Sequence, residues 1–262
     1  MAEAKQSGSA LGEFPQGVAV VIGGSGGIGK AVSLRLAECG CSVAFSYNRN
    51  VKAAEELAAK LKDIGRDAYY ASLDISSPEA TQAFFDVIKE KFGRIHTVVV
   101  ATGANIRMAY IADVTFEEWR NTIDGDLNGF FNVIKAAIPV LRQGGGSIVG
   151  LTSAALVRHS PQDILSTAPK GGIESLIRGI AREEGRYGIR ANSVALGVID
   201  AGLMDRVWNQ LTPQFAQAMK SSAALRRIGT ADEAADAVVF LASSRASFIT
   251  GQRLVLDGGY SV

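Results

Sequence analysis

The chain has 262 residues, 47% of them hydrophobic, and a formal net charge of +1 from intermixed acids and bases. That length can bury one large core as a single domain, and the even charge balance offers no footprint for nucleic acid or an anionic membrane. No apolar run approaches the roughly 20 residues of a membrane span, and the small, polar residues 1–14 read as a loose tail ahead of one domain at 15–262.

From Gly17 to Cys39 the chain reads GVAVVIGGSGGIGKAVSLRLAEC. The apolar run Val18–Ile22 suits a buried strand, and the apolar residues that return at Ile28, Val32, Leu34 and Leu36 have helical spacing. Between them lies a turn rich in glycine. Glycines let backbone N–H groups approach an anion, and the helix N-terminus that follows carries partial positive charge. Gly24, Gly26 and Gly29 meet the dinucleotide pattern G-x-G-x-x-G between strand and helix. A triphosphate loop is a near match, but Ala31 follows Lys30 where Ser or Thr would hold Mg²⁺. Gly23, Ser25, Gly26, Gly27 and Ile28 are therefore the expected pyrophosphate contacts.

Cys39 and Cys41 fall at a helix end and a strand start. With no second Cys pair or His cluster to complete a metal site, they read as reduced thiols in a cytoplasmic protein. A second strand is expected at Ser42–Ser46 and a charged amphipathic helix at Val51–Ile64. Between them stand Asn48 and Arg49, with no carboxylate. An acid there would bind the ribose hydroxyl of NAD, whereas Arg suits the 2′-phosphate, so NADP is expected ahead of NAD. Further strands are predicted at Asp67–Leu73, Thr97–Ala101, Ser147–Leu151, Arg190–Ala195 and Arg253–Leu256. Helices are predicted at Pro78–Phe92, about Phe116–Leu141, Ser166–Arg186 and Ala231–Ala242. Leu196–Ser222, with Met204 and Trp208, has the profile of an apolar lid. Strands and helices alternate throughout, which predicts an α/β fold: a single-domain, Rossmann-type, doubly wound parallel sheet with helices on both faces.

Taken in order, GGSGGIG at 23–29, LDIS at 73–76, ATG at 101–103, SIVGLTS at 147–153, Lys170 followed by two glycines, NSVALG at 192–197 and ITGQRLVLDGGY at 249–260 resemble the short-chain dehydrogenase/reductase family. The resemblance spans about Gly17 to Tyr260. It implies a nicotinamide cofactor across the carboxyl ends of the strands, with Asp74 and Ile75 beside the adenine, Ala101, Thr102 and Gly103 near the ribose, and Gly197 and Ile199 at the nicotinamide end. It also implies a homo-oligomer, tetramer or dimer, joined through the long helices and the C-terminal strand.

The family's reaction uses Tyr and Lys one helical turn apart, with a Ser that orients the substrate oxygen. Ser153 and Lys170 match, but the position four before Lys170 is Ser166. Asp126 replaces the asparagine of the proton relay, Leu196 a proline, and Ala201 a threonine that would touch the nicotinamide amide. Three readings follow for a small-molecule substrate. The enzyme reduces a carbonyl with its acid elsewhere, at Tyr110 or His159. It reduces the conjugated alkene of an enoyl thioester, where Ser166 and Lys170 supply hydrogen bonds to the thioester oxygen. Or it binds nucleotide with little chemistry, as a partner subunit or sensor. Because Pro169 cannot sit deep in a helix without losing a hydrogen bond, the helix is expected to begin near Ser166, with that residue as its N-cap.

Overall fold

The computed structural model describes residues 12–103, 106–201 and 213–262. Met204 and Trp208 of the expected lid lie outside the described residues. Seven strands form one parallel sheet in the order β3-β2-β1-β4-β5-β6-β7: β1 (Val18–Ile22), β2 (Ser42–Tyr47), β3 (Ala68–Ser72), β4 (Ile95–Val100), β5 (Gly146–Ser153), β6 (Ile189–Leu196) and β7 (Arg253–Leu256). The helices between them are α1 (Gly27–Glu38), α2 (Val51–Asp63), α3 (Pro78–Phe92), α4 (Phe116–Thr122), α5 (Gly129–Leu141), α6 (Ile164–Glu184), α7 (Pro213–Ser222) and α8 (Ala231–Ala242).

The period-2 alternation of the strands divides the core between two sheet faces. Val18, Val20 and Ile22 of β1 point to one face, where Phe84 and Phe85 of α3, Phe130 and Ile134 of α5, and Ile173 and Ile177 of α6 cover them. Ala19 and Val21 point to the other, under Val32 and Leu36 of α1, Leu57 and Leu61 of α2, and Val238 and Leu241 of α8. Both faces are dry, so the central strands read as continuous apolar runs. Helix starts follow local chemistry. Ser77 caps α3 ahead of Pro78, and Thr115 and Thr230 form capping boxes with Glu118 and Glu233 at α4 and α8.

Several boundaries differ from expectation by a residue or two, and two of them affect the packing. β4 begins at Ile95, before the apolar run, and its pairing with β1 shifts register between Val18 and Ala19. His96 is the extra residue of that bulge, buried with its ring 5.7 Å from that of Phe14. α6 begins at Ile164, with Asp163 in the N-cap position, so Ser166 is not the cap. Pro169 is tolerated inside the helix because it forgoes one bond, to the Leu165 carbonyl, and its ring is buried. The Asp163 carbonyl secures the first turn by accepting the Ser166 N–H at 3.1 Å, the Thr167 N–H at 2.9 Å and the Thr167 hydroxyl at 3.0 Å.

Candidate active site

The parallel register brings the ends of β1, β4, β5 and β6 to one edge of the sheet, where an open α/β sheet leaves its crevice. At the β1 end the turn is built from close backbone approaches. Gly23 has φ 77° and donates its N–H to Ser46 Oγ at 3.0 Å. A Cβ on Gly24 would stand 2.5 Å from Cβ of Phe45, and one on Gly29 would stand 2.2 Å from the Gly23 carbonyl oxygen. The Lys30 N–H closes onto the Gly26 carbonyl at 2.7 Å. The N–H groups of Gly27, Ile28 and Gly29 lie in the open first turn, at a helix with no side-chain cap and no acid in that turn. This cradle fits the pyrophosphate of a dinucleotide: bare donors, partial positive charge and no side chain in the way.

The remaining expected cofactor residues divide into surface and support. Asn48 and Arg49 are exposed at the end of β2, and the Arg49 guanidinium makes no hydrogen bond or ion pair among the described residues. Asn50, not Arg49, caps α2, accepting the Ala53 N–H at 3.0 Å. Asp74 is exposed, and hydrogen bonds from the hydroxyl and N–H of Ser76 hold its carboxyl below the ordinary range. Ile75 is buried, and a Cβ on Gly129 would meet it at 2.7 Å, so its side chain packs against the start of α5. Ala101 and Thr102 are half-buried beside exposed Gly103. Gly197 has no room for a side chain, since a Cβ would stand 2.7 Å from Cα of Asp257. Ile199 is buried against Gly229 and presents only backbone.

At the β4–β5 edge Lys170 of α6 reaches back across the sheet end. Its Nζ donates to Asp126 Oδ1 at 2.9 Å and to the Thr102 carbonyl at 3.2 Å. Lys170 and Asp126 are 11% and 4% exposed at their side chains, so the pair is nearly desolvated. Asp126 is aimed there by a π-helical turn, Ile123–Asn128, between α4 and α5, the kind of local widening that recurs at functional sites. Ser153 ends β5, and its oxygen accepts the Ala155 N–H at 3.1 Å, which leaves the hydroxyl proton to donate elsewhere. Ser166 is half-buried on α6, one turn before Lys170 and on its face. Tyr110 is 58% exposed and His159 is exposed. Neither side chain makes a hydrogen bond among the described residues, and neither joins this cluster.

One residue near the cluster escaped the sequence reading. Asp163 stands half-buried in the N-cap position of α6 without a side-chain cap bond, and burial pushes its carboxyl up to about 6. Its sequence signal was an acid just ahead of an apolar helical pattern, a cap signature, but Pro169 drew the expected helix start past it.

Comparison with known proteins agrees with this geometry. A family model described as enoyl-(acyl carrier protein) reductase matches residues 23–261. The chain is 33% identical over 242 residues to the 3-oxoacyl-[acyl-carrier-protein] reductase of Staphylococcus aureus, covering 92% of this chain and 96% of that one. It is 31% identical over 245 residues to the 1-cyclohexenylcarbonyl-CoA reductase of Streptomyces collinus, covering 94% and 87%. A short-chain type dehydrogenase/reductase from Mycobacterium ulcerans has a similar structure, with a TM-score of 0.87, 30% identity, and coverage of 95% and 91%. With a parallel sheet, a glycine cradle and these relatives, the chain belongs to the short-chain dehydrogenase/reductase family of oxidoreductases.

Proposed function

We propose that this oxidoreductase uses NADPH to reduce the β-carbon of an α,β-unsaturated acyl thioester. The observation that carries the reading is the pairing on α6 of Ser166 with Lys170, whose ammonium is held by Asp126 at 2.9 Å. An alkyl hydroxyl stands where the family's phenol is expected. A free serine hydroxyl is too weak an acid to protonate an alkoxide unaided, but it is a good hydrogen-bond donor. The oxygen of a conjugated thioester asks for that, since reduction at the β-carbon leaves charge spread over an enolate. The bound dihydronicotinamide would supply the hydride. Ser153 and Ser166 donate hydrogen bonds to the thioester oxygen, and Lys170 holds the nicotinamide ribose with its charge kept by Asp126. Arg49, exposed and without an acid beside it, favours the 2′-phosphate of NADP over the bare ribose of NAD. Exposed Phe131 on α5 and Leu254 and Val255 on β7 favour a homo-oligomer through those elements.

The test follows NADPH oxidation with crotonyl-CoA and with acetoacetyl-CoA. Crotonyl-CoA should be consumed, with a loss of about 10²-fold in Ser153→Ala and Lys170→Ala. Consumption of acetoacetyl-CoA alone would reassign the enzyme to carbonyl reduction. Tight NADPH binding with no turnover of either would make it a nucleotide-binding protein. Arg49→Ala should lose the preference for NADPH over NADH; unchanged preference would remove Arg49 from the site.

A further inference from the structure

The last residues of the chain return to the crevice. β5, β6 and β7 share one parallel register, with Ser153 beside Leu196 and Leu196 beside Leu256. The turn that follows β7 therefore emerges at the same sheet edge as Ser153. It is held from within: the Asp257 carboxylate accepts the N–H of Gly259 at 2.8 Å and that of Ser261 at 2.9 Å. Gly258 and Gly259 take φ of 62° and 81°, which a side chain would oppose. On one flank the turn meets the residues between α7 and α8. The Leu225 N–H donates to the Gly258 carbonyl at 3.0 Å, and a Cβ on Gly259 would stand 2.7 Å from that of Ala224.

On the other flank half-buried Tyr260 grips the connection between β5 and α6 by three contacts. Its hydroxyl lies 2.9 Å from Ser160 Oγ, and its carbonyl accepts an N–H of the Arg158 guanidinium at 2.9 Å. That guanidinium also lies over the Tyr260 ring, 5.1 Å from its centre. The same connection is fastened on its β4 side, where the Ala109 N–H donates to the Gln162 carbonyl at 3.1 Å. Gln162 has φ 70°, a left-handed conformation unfavourable for a residue with a side chain, so the connection would relax if released. It starts at Ser153 and ends just before Ser166, the two hydroxyls assigned above to the substrate oxygen.

We propose that Tyr260 is a positioning residue for the Ser153–Ser166 pair. By gripping Arg158 and Ser160 it fixes the stretch between the two serines and sets both hydroxyls before substrate arrives. The inference rests on the reductase reading above, in which both hydroxyls donate to the thioester oxygen. Donors aimed at a developing oxyanion are effective when their geometry is fixed beforehand. Ser153 Oγ is tied to the Ala155 N–H inside the same connection, so its aim follows wherever that connection is held. Tyr260 acts through the connection, not on the substrate.

The decisive variant is Tyr260→Phe, which keeps the ring under Arg158 and loses the bond to Ser160. With NADPH and crotonyl-CoA we expect kcat to fall about 10-fold, on a scale where a displacement of about 1 Å costs about 10²-fold. KM and the affinity for NADPH should change little. Ser160→Ala should lose as much, and the double variant no more than either alone. Turnover is measured well below the melting temperature of each variant, so that lost stability alone does not lower it. A substrate-free readout accompanies these. Hydrogen exchange followed by mass spectrometry should show residues 154–163 exchanging faster in both single variants, while residues 23–29 keep the wild-type rate. Wild-type kcat in Tyr260→Phe overturns the positioning role. So do additive losses in the double variant, or exchange at 154–163 that neither substitution alters. If Ser153→Ala and Lys170→Ala abolish turnover while Tyr260→Phe leaves it unchanged, the role fails and the reductase reading stands. If the wild type consumes NADPH with neither thioester, the reading falls and takes the positioning role with it.

Discussion

Two carboxylates close to α6 have opposite surroundings. Asp126 is buried against an ammonium at 2.9 Å, and its charge is matched. Asp163 is half-buried with no cation beside it, and its charge is not. A carboxyl whose folded pKa lies above its unfolded value binds more protons folded than unfolded, so it costs stability as pH rises through the interval between them. For Asp163 that interval runs from the ordinary carboxylate value of 3.8 to about 6. We therefore expect Asp163→Asn to melt above the wild type at pH 8, by no more than about 3 kcal/mol, and to lose that advantage near pH 4. Thermal melts at the two pH values check this, and an equal offset at both would show that the carboxyl is not buried in its charged form.

Among the elements, the β1–α1 turn carries the most stringent requirement. Its glycines are demanded by the protein's own packing before any ligand arrives, since a side chain at position 29 would drive into the Gly23 carbonyl at 2.2 Å. Backbone cannot yield there without parting β1 from α1. Gly29→Ala should cost at least about 3 kcal/mol, as an overpacked site at the upper end of its range, and abolish NADPH binding measured by calorimetry. Wild-type affinity in that variant would mean the turn is not the dinucleotide cradle. This element was legible in the residues alone, because strand, turn and helix follow one another within Gly17–Cys39. The start of α6 was not: a proline at 169 argues for a later helix, and only the double return of Thr167 to the Asp163 carbonyl, with burial of the proline ring, makes the earlier start tolerable.

Over the whole molecule, the two edges of the sheet do different work. The edge at the strand ends holds the cradle and the Lys170–Asp126 pair. The opposite edge holds Arg94, Arg142 and Arg190 around a cavity of about 350 Å³ that His96 also lines. Arg190 is clamped there by the carbonyls of Leu241, Ala242, Ser243 and Ile249, closing the end of α8 onto β6. The bulge in β4 buries His96 beside Phe14, with Nδ1 3.0 Å from Thr97 Oγ1 and Nε2 without a partner among the described residues. Burial, aided by Arg94, lowers its pKa to about 4. A histidine depressed in the folded state contributes stability that is present above its ordinary 6.5 and is lost as pH falls toward 4. Urea unfolding from pH 7 to 4 should show a decline that His96→Gln reduces by up to about 3 kcal/mol; an unaltered slope would place the acid sensitivity elsewhere.

Order and spacing along the chain were enough for the alternation of strands and helices, the two-faced parallel sheet and the glycine-rich turn between β1 and α1, whereas the choice of Ser153, Ser166 and Lys170 came from the family resemblance. The former rest on local rules: apolar period and turn chemistry. Folding alone determined that Asp126 neutralises Lys170 across 44 positions, that Ile75 and Ile199 turn into the core, and that Asp163 takes the N-cap position of α6 without a side-chain cap bond. Those outcomes depend on desolvation and on contacts between distant segments, which no single stretch of sequence encodes.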